Sequence, residues 1–332
     1  MKRIIAVILA LSFIAASLSS CAKKELTMVT VSTKPIKTWY YEGETFDPAG
    51  LAITAKYSDG SEEIVTDYEV DATKALTTED RAVKVSFGGK SAMVPITVDY
   101  AGNGPEYNVE NTPVLDNSPL EGKTYFFLGS SVTYGDTNED GSATSMVEFI
   151  AKRNSCTVIK EAVSGTSLAL VEGSAYGKNY TVRLDEYITS PERAQHLDGF
   201  VCQLSTNDVG QVENFGIITA NDVRDASQFD IATTYGAIEY IIATVKDVWD
   251  CPIAFYTNCR YSAERYGELV DSLHKIAEKW EVEVIDLWTP EDFNDISEAQ
   301  RALYLKTDGL HPTKAGYREW WLPEFEKVLA EF

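Results

Sequence analysis

The stretch Tyr125-Phe126-Phe127-Leu128-Gly129-Ser130-Ser131-Val132-Thr133-Tyr134-Gly135 joins an apolar run to a turn of glycine and serine. Bulky apolar residues that end at Gly129 predict a buried strand followed by a tight turn. In an open parallel sheet, ligands bind beyond the carboxyl ends of the strands. The turn therefore places Ser131 where a substrate would arrive, although such corners are also common as purely structural features.

From Lys123 onward, short apolar runs alternate with amphipathic stretches. The apolar runs predict five buried parallel strands, at 124–128, 157–163, 199–204, 252–256 and 282–287. Apolar residues at helical spacing predict helices around 238–248, 269–280 and 316–329. Repeated β-α-β units imply a parallel sheet with helices on both faces. We therefore predict a three-layer α/β/α domain.

The segment before this domain follows a different pattern. Residues 27–100 contain short β-prone runs separated by turn signals such as Ser58-Asp59-Gly60-Ser61 and Gly88-Gly89-Lys90. Closely spaced short strands predict a small all-β sandwich. Residues 101–119 are rich in glycine and proline and are predicted to form a linker, so that the α/β domain occupies residues 120–332.

Three motifs of the all-β segment resemble those of bacterial Ig-like domains. They are Tyr41-Glu42-Gly43-Glu44-Thr45-Phe46-Asp47, Tyr57-Ser58-Asp59-Gly60 and Phe87-Gly88-Gly89-Lys90. The resemblance implies a spacer or adhesion module without catalytic residues.

The first residues have the layout of an export signal. Lys2 and Arg3 precede an apolar run over 4–18, which is short for a membrane span, so residues 1–20 are predicted to be a signal peptide. Leu18-Ser19-Ser20-Cys21 resembles the lipobox of bacterial lipoproteins, which implies lipidation of Cys21. The alternative is an ordinary signal peptide with a chance cysteine. The preferred prediction is an exported protein, lipid-anchored at the outer face of a bacterial cell membrane.

The net charge narrows the choice of partners, and the cysteines and acidic residues bear on disulfides and metals. The formal net charge of −22 argues against nucleic acid, whose phosphates would be repelled, and is compatible with an uncharged polysaccharide. Four cysteines follow Cys21, in no metal-ligand spacing, and buried free thiols are favoured over disulfides without excluding them: Cys156, Cys202, Cys251 and Cys259. Asp136–Gly141 copies half of a calcium loop, but its twelfth position would be Val147 instead of glutamate. No metal or cofactor is therefore predicted.

Polar residues that could perform chemistry follow the predicted strands. Ser131 follows the first strand, Ser164-Gly165 the second, and Ser205-Thr206-Asn207-Asp208 the third. Thr307-Asp308-Gly309-Leu310-His311-Pro312 precedes the last helix. We expect all four groups at one edge of the sheet. Taken singly, each could be a turn or a helix cap.

Taken together, these four blocks resemble those of the SGNH hydrolases, which form the GDSL esterase superfamily. The resemblance extends over about residues 123–332 and implies a flavodoxin-like fold with a five-stranded sheet. Two positions depart from the family pattern. Ser130 stands where the family usually has aspartate, and Ser205 stands where it usually has glycine.

The resemblance implies a role for each matching residue. Ser131 would be the nucleophile, His311 the general base and Asp308 the residue that orients the imidazole. The backbone N–H groups of Ser131 and Gly165 and the side-chain amide of Asn207 would form the oxyanion hole. Tyr134, beside the nucleophile, is a candidate for a substrate contact.

The expected function is a surface-tethered esterase that acts through an acyl-enzyme on O-acylated carbohydrate, such as acetylated plant polysaccharide or cell-wall glycan. Lipase, lysophospholipase and thioesterase activities of the same superfamily are alternatives. A non-catalytic glycan-binding or adhesin lipoprotein is the alternative from another class of protein.

Overall fold

The structure, a computed structural model, describes residues 24–138 and 142–332. The chain divides into two units, and the boundary along the sequence falls between Val98 and Asp99. The predicted signal peptide, residues 1–20, and the predicted lipidation site Cys21 lie outside the described residues. In the described part of the chain, no helix has the length and apolar character needed to cross a membrane.

The first unit is all-β, as predicted. Its strands are β1 (Leu26–Thr33), β2 (Trp39–Tyr41), β3 (Ala52–Tyr57), β4 (Glu62–Val65), β5 (Glu69–Val70), β6 (Ala82–Phe87), β7 (Lys90–Pro95) and β8 (Thr97–Asp99). Two antiparallel three-stranded sheets, β1-β3-β4 and β5-β6-β7, are accompanied by the pair β2-β8. Alternate strand residues enter the core, so that Ile53, Ala55, Val85 and Val94 are fully buried.

The second unit alternates strands and helices. Its strands are β9 (Thr124–Gly129), β10 (Asp136–Thr137), β11 (Ala143–Thr144), β12 (Thr157–Ala162), β13 (Gly199–Gln203), β14 (Ile253–Tyr256) and β15 (Glu283–Ile285). Its α-helices are α1 (Ser131–Tyr134), α2 (Met146–Asn154), α3 (Tyr180–Thr189), α4 (Asp208–Gln211), α5 (Thr234–Val248), α6 (Glu264–Trp280), α7 (Glu291–Asn294), α8 (Glu298–Tyr304) and α9 (Leu322–Leu329).

Five of these strands form one parallel sheet in the order β12-β9-β13-β14-β15, which confirms the predicted α/β sheet. Successive residues of β9 point to opposite faces. Tyr125 and Phe127 pack in the core shared with α2 and α9, and Phe126 and Leu128 pack in the core shared with α3, α5 and α6. The unit thus has three layers. The strand order reverses at β9, and this is where an open α/β sheet forms its ligand crevice.

The segment predicted as a linker, residues 101–119, is instead part of the second unit. It contains three 3-10 turns, at Ala101–Asn103, Pro105–Tyr107 and Val109–Asn111. Gly102 is buried, and a side chain there would collide with the Leu303 carbonyl oxygen. The glycines and prolines that suggested a flexible linker therefore serve close packing and short turns.

The predicted last helix is present but irregular. Gly316–Trp321 is a π-helix that continues into α9. Pro323 lies at the start of α9, where its missing N–H and its ring exclude the regular bond to the preceding turn. A locally wider turn accommodates the proline.

The four cysteines after Cys21 are free thiols. Burial raises the pKa of Cys156 and Cys251 to about 11 and that of Cys259 to about 12, and burial also raises the pKa of Cys202. Since the thiolate is the reactive form, none of these thiols is an activated nucleophile at neutral pH.

Candidate active site

The predicted nucleophile lies at the first position of α1, directly after β9. The connection is tight because Gly129 has no side chain. A Cβ atom on Gly129 would lie 1.7 Å from Thr133 Oγ1, in the next turn. The turn therefore needs glycine for close approach, and it leaves the Ser131 side chain partly exposed beyond the sheet.

Ser131, His311 and Asp308 form a continuous hydrogen-bonded chain. His311 Nε2 lies 2.7 Å from Ser131 Oγ, and His311 Nδ1 lies 2.7 Å from Asp308 Oδ2. An imidazole that donates from Nδ1 to a carboxylate keeps Nε2 available to accept the serine proton. The structure thus brings together the three residues predicted as nucleophile, base and orienting acid. The other two histidines instead face Asp198 and Asp286.

The Asp308 carboxylate is held by its own loop. Its Oδ1 accepts hydrogen bonds from the backbone N–H groups of Leu310 and His311, at 2.9 and 3.0 Å. Partial burial by itself raises the pKa of Asp308, but the hydrogen bonds from the His311 ring and from these two N–H groups outweigh it and hold the pKa well below its usual range. The carboxylate is therefore ionised throughout the neutral range and can stabilise an imidazolium.

The loop over residues 305–312 carries Asp308 and His311 and is here called the acid–base loop; it does not follow a strand. It follows α8 and reaches the sheet edge from outside, closed by a bridge between Leu305 and Pro312. The Lys306 N–H donates to the His311 carbonyl at 2.9 Å, and Asn258, after β14, donates to the Leu310 carbonyl at 3.2 Å.

The loops that carry Gly165 and Asn207 meet at the Thr166 carbonyl. Asn207 Nδ2 donates to the Thr166 carbonyl at 2.9 Å, and its second amide hydrogen is left for another acceptor. Gly165 has a φ of +81°, and a Cβ atom there would collide with the Tyr176 ring at 2.4 Å, so only glycine fits. Within residues 24–138 and 142–332, the backbone N–H groups of Ser131 and Gly165 make no hydrogen bond. These are the donors that an oxyanion hole requires.

Asp208 joins the loop of Asn207 to the loop that follows Gly165. Its fully buried carboxylate accepts from the Leu168 N–H at 2.8 Å, the Ala169 N–H at 3.2 Å and the Thr234 hydroxyl at 2.9 Å. Burial raises the pKa of Asp208, and these bonds oppose the rise. The residue next to Asn207 is thus an internal anchor and is closed to substrate.

Arg183 is a positioning residue that the sequence reasoning missed. It is 5% exposed, and its guanidinium donates to the Gly129 carbonyl at 2.8 Å and to the Glu161 carbonyl at 2.9 Å. It therefore ties together the carboxyl ends of β9 and β12. The signal was an arginine on the apolar face of a helix, between Tyr180 and Leu184.

Ser130 and Ser205, the two departures from the family pattern, form hydrogen bonds within the protein. Ser130 is fully buried, and its N–H donates to Gln203 Oε1 at 2.8 Å, an oxygen that also accepts from Thr133 Oγ1 at 2.8 Å. Ser205 Oγ accepts from the Asn207 N–H at 3.1 Å. Gln203 was not singled out from the sequence, although an amide at the end of an apolar strand is a recognisable signal.

Tyr134, the predicted substrate contact, is half-buried at the end of α1. Its carbonyl accepts from Lys160 Nζ at 3.0 Å, and the same ammonium lies 5.8 Å from its ring centroid. Its role toward substrate stays a prediction.

The fold and the arrangement of Ser131, His311 and Asp308 are typical of α/β hydrolases, and comparison with known proteins agrees. Residues 127–319 match the GDSL-like lipase/acylhydrolase family, and residues 33–98 match the bacterial Ig-like domain, group 3. The chain belongs to the GDSL-like lipase/acylhydrolase family and carries a bacterial Ig-like domain before the hydrolase domain. No curated protein matches the chain significantly.

Solved structures resemble about two thirds of the chain. One is 21% identical, with a TM-score of 0.52, over 64% of this chain and 99% of its own. A Lactobacillus plantarum protein is 20% identical, with a TM-score of 0.48, over 64% of this chain and 98% of its own. A carbohydrate acetylesterase from Sinorhizobium meliloti is 16% identical, with a TM-score of 0.41, over 63% of this chain and 100% of its own. At these identities the first likeness supports the fold alone.

The lowered pKa of Asp308 makes a prediction about acid stability. Because the folded-state pKa is depressed, ionisation of Asp308 stabilises the fold fully above the unfolded pKa of about 3.9 and loses this effect as the pH falls toward the folded-state value. We expect the difference in free energy of unfolding between wild type and Asp308→Asn to have its full value at about pH 5 and above and to shrink below about pH 4. Urea denaturation at a series of pH values measures it. A difference that stays unchanged down to about pH 3 would contradict the ionised pair.

Proposed function

We propose that this protein is a serine esterase that hydrolyses carboxylic esters through an acyl-enzyme. The observation that carries the proposal is the chain from Ser131 Oγ through His311 to Asp308, with 2.7 Å at each link. Family membership supports the same reaction class. A non-catalytic adhesin would have no need to keep these three side chains hydrogen-bonded to one another.

The same residues act in both halves of the reaction, formation of the acyl-enzyme and its hydrolysis. Ser131 Oγ attacks the ester carbonyl carbon while His311 Nε2 takes its proton, and the oxyanion receives hydrogen bonds from the N–H groups of Ser131 and Gly165 and from Asn207. Collapse of the tetrahedral intermediate breaks the bond to the alcohol, which leaves with the proton from His311. Water then attacks the acyl-enzyme, His311 takes its proton, and the second collapse returns that proton to Ser131.

Alanine substitution tests the nucleophile. We expect Ser131→Ala to lower kcat for p-nitrophenyl acetate by about ten-thousandfold or more, because it removes the hydroxyl that forms the acyl-enzyme. The matched control is Ser272→Ala on α6, whose hydroxyl bonds to the Tyr235 hydroxyl at 2.8 Å in the helical layer. The control should keep its rate. Equal rates for wild type and Ser131→Ala would refute the esterase assignment.

We propose O-acylated carbohydrate as the substrate class. The strongly negative net charge disfavours polyanions and suits an uncharged polymer, and the Ig-like domain is suited to hold the hydrolase near polymers outside the cell. We expect acetate release from acetylated xylan or acetylated peptidoglycan to exceed hydrolysis of long-chain acyl esters at equal ester concentration. A preference for long acyl chains would instead favour a lipase or lysophospholipase, and a preference for thioesters would favour a thioesterase.

We further propose export and lipid anchoring through Cys21 at the outer face of a bacterial cell membrane. The basic start, the short apolar run and the lipobox-like residues before Cys21 support it. We expect Cys21→Ala to move the protein from the membrane fraction to the soluble fraction and to abolish labelling by a fatty acid. Cys156→Ala, which removes a half-buried thiol, is the matched control. Continued labelling of Cys21→Ala would contradict the anchor.

A further inference from the structure

The loop that carries His311, the proposed general base, is supported by residues outside the range 127–319 that matches the hydrolase family, here called the family core. The loop over residues 305–312 follows a helix, so the register of the sheet does not position it. Its neighbours on the outer side come from residues 99–108, here called the bracing segment. This segment precedes the part of the chain that matches the hydrolase family, residues 127–319.

The bracing segment contacts the chain on both sides of His311. On the side after the histidine, the Lys314 N–H donates to Asn103 Oδ1 at 2.9 Å, and Lys314 Nζ donates to Asn108 Oδ1 at 2.8 Å. On the side before it, the Tyr100 hydroxyl lies 3.1 Å from Thr307 Oγ1. These bonds hold the two ends of the acid–base loop.

Gly102 brings the bracing segment close enough to make these bonds. A Cβ atom on Gly102 would lie 1.9 Å from the Leu303 carbonyl oxygen and 2.2 Å from Thr313 Oγ1. Thr313 Oγ1 itself donates to the Leu303 carbonyl at 2.6 Å, so this contact closes the base of the loop. Any larger residue at position 102 would have to push the loop away.

Asn103 is fixed in turn by its own neighbours. Its Nδ2 donates to Asp99 Oδ1 at 2.9 Å, which leaves Oδ1 turned toward Lys314. A further link crosses from the nucleophile side, since the Lys306 ammonium forms an ion pair with the buried Asp136, two residues after α1. The loop is therefore held by the bracing segment on one side and by the nucleophile turn on the other.

We infer that the bracing segment positions His311 for proton transfer, with Asn103 as its main positioning residue, so that residues before the family core set the rate of the proposed reaction. The inference rests on the proposed esterase function. Misplacement of a catalytic group by about 1 Å can cost about a hundredfold in rate, so small shifts of this loop matter.

Asn103→Ala tests the inference in the full chain, with Asn111→Ala as the matched control. Asn111 lies next to the bracing segment, and its Nδ2 bonds to the Pro105 carbonyl at 2.7 Å. We expect Asn103→Ala to lower kcat for p-nitrophenyl acetate about tenfold with KM within about twofold, and Asn111→Ala to change neither. Gly102→Val should act in the same direction as Asn103→Ala. Rates are compared well below the lowest unfolding midpoint of the variants.

The same substitution made in a His311→Ala variant separates positioning of His311 from general destabilisation of the protein. In His311→Ala the base is absent, so adding Asn103→Ala should lower the residual rate by less than about twofold. The same loss in both backgrounds would overturn the inference, as would an unchanged kcat in both Asn103→Ala and Gly102→Val.

Amide hydrogen exchange keeps the inference separate from the proposed function. We expect exchange in the 305–312 segment to rise in Asn103→Ala and to stay unchanged in Asn111→Ala, whether or not any ester is turned over. An inactive wild type would refute the esterase proposal. An active wild type with unchanged exchange in Asn103→Ala would refute the bracing role.

Discussion

The contact between Ser131 and His311 is the interaction on which the site depends. The two residues are 180 positions apart and lie on elements with different support. Ser131 is fixed by strand register, because β9 pairs with β12 and β13 up to the turn that carries it. His311 has no strand of its own and depends on hydrogen bonds from several directions. A bond of 2.7 Å therefore requires a rigid sheet edge and a separately restrained loop.

Buried polar groups supply the rigidity at that edge. A charge taken out of water is costly unless it is paired and hydrogen-bonded. Asp208 and Arg183 meet this condition by bonding to backbone groups of the loops beside Ser131. Each bond fixes a main-chain position instead of a mobile side chain, so removal of either residue would leave several buried groups unpaired at once. The hydrogen bonds that offset the cost of burying Asp208 and Arg183 therefore also fix the backbone around the site.

Much of the fold and of the candidate site could be predicted from the sequence. The five strands were visible because a strand buried on both faces is a short continuous apolar run. Ser131, Gly165 and Asn207 were visible because parallel strands end at one edge. The support of His311 was not visible: Asn103 lies in a stretch whose glycines and prolines resemble a linker. Arg183 was missed because its partners are mainly backbone carbonyls, which leave no pattern in side-chain types. Gln203 was missed because it lies within a buried strand and bonds to Ser130 and Thr133, about 70 residues earlier in the chain.

The two departures from the family pattern also follow from buried hydrogen bonding. A serine at position 130 has its N–H and its hydroxyl within reach of Gln203 Oε1, at 2.8 and 3.3 Å, and is fully buried without a charge. A carboxylate in the same place would face that oxygen unless the amide turned over. At position 205, the hydroxyl receives the Asn207 N–H and so orients the residue that carries the oxyanion amide. Both serines therefore act on the backbone around the catalytic groups and leave the reacting atoms unchanged.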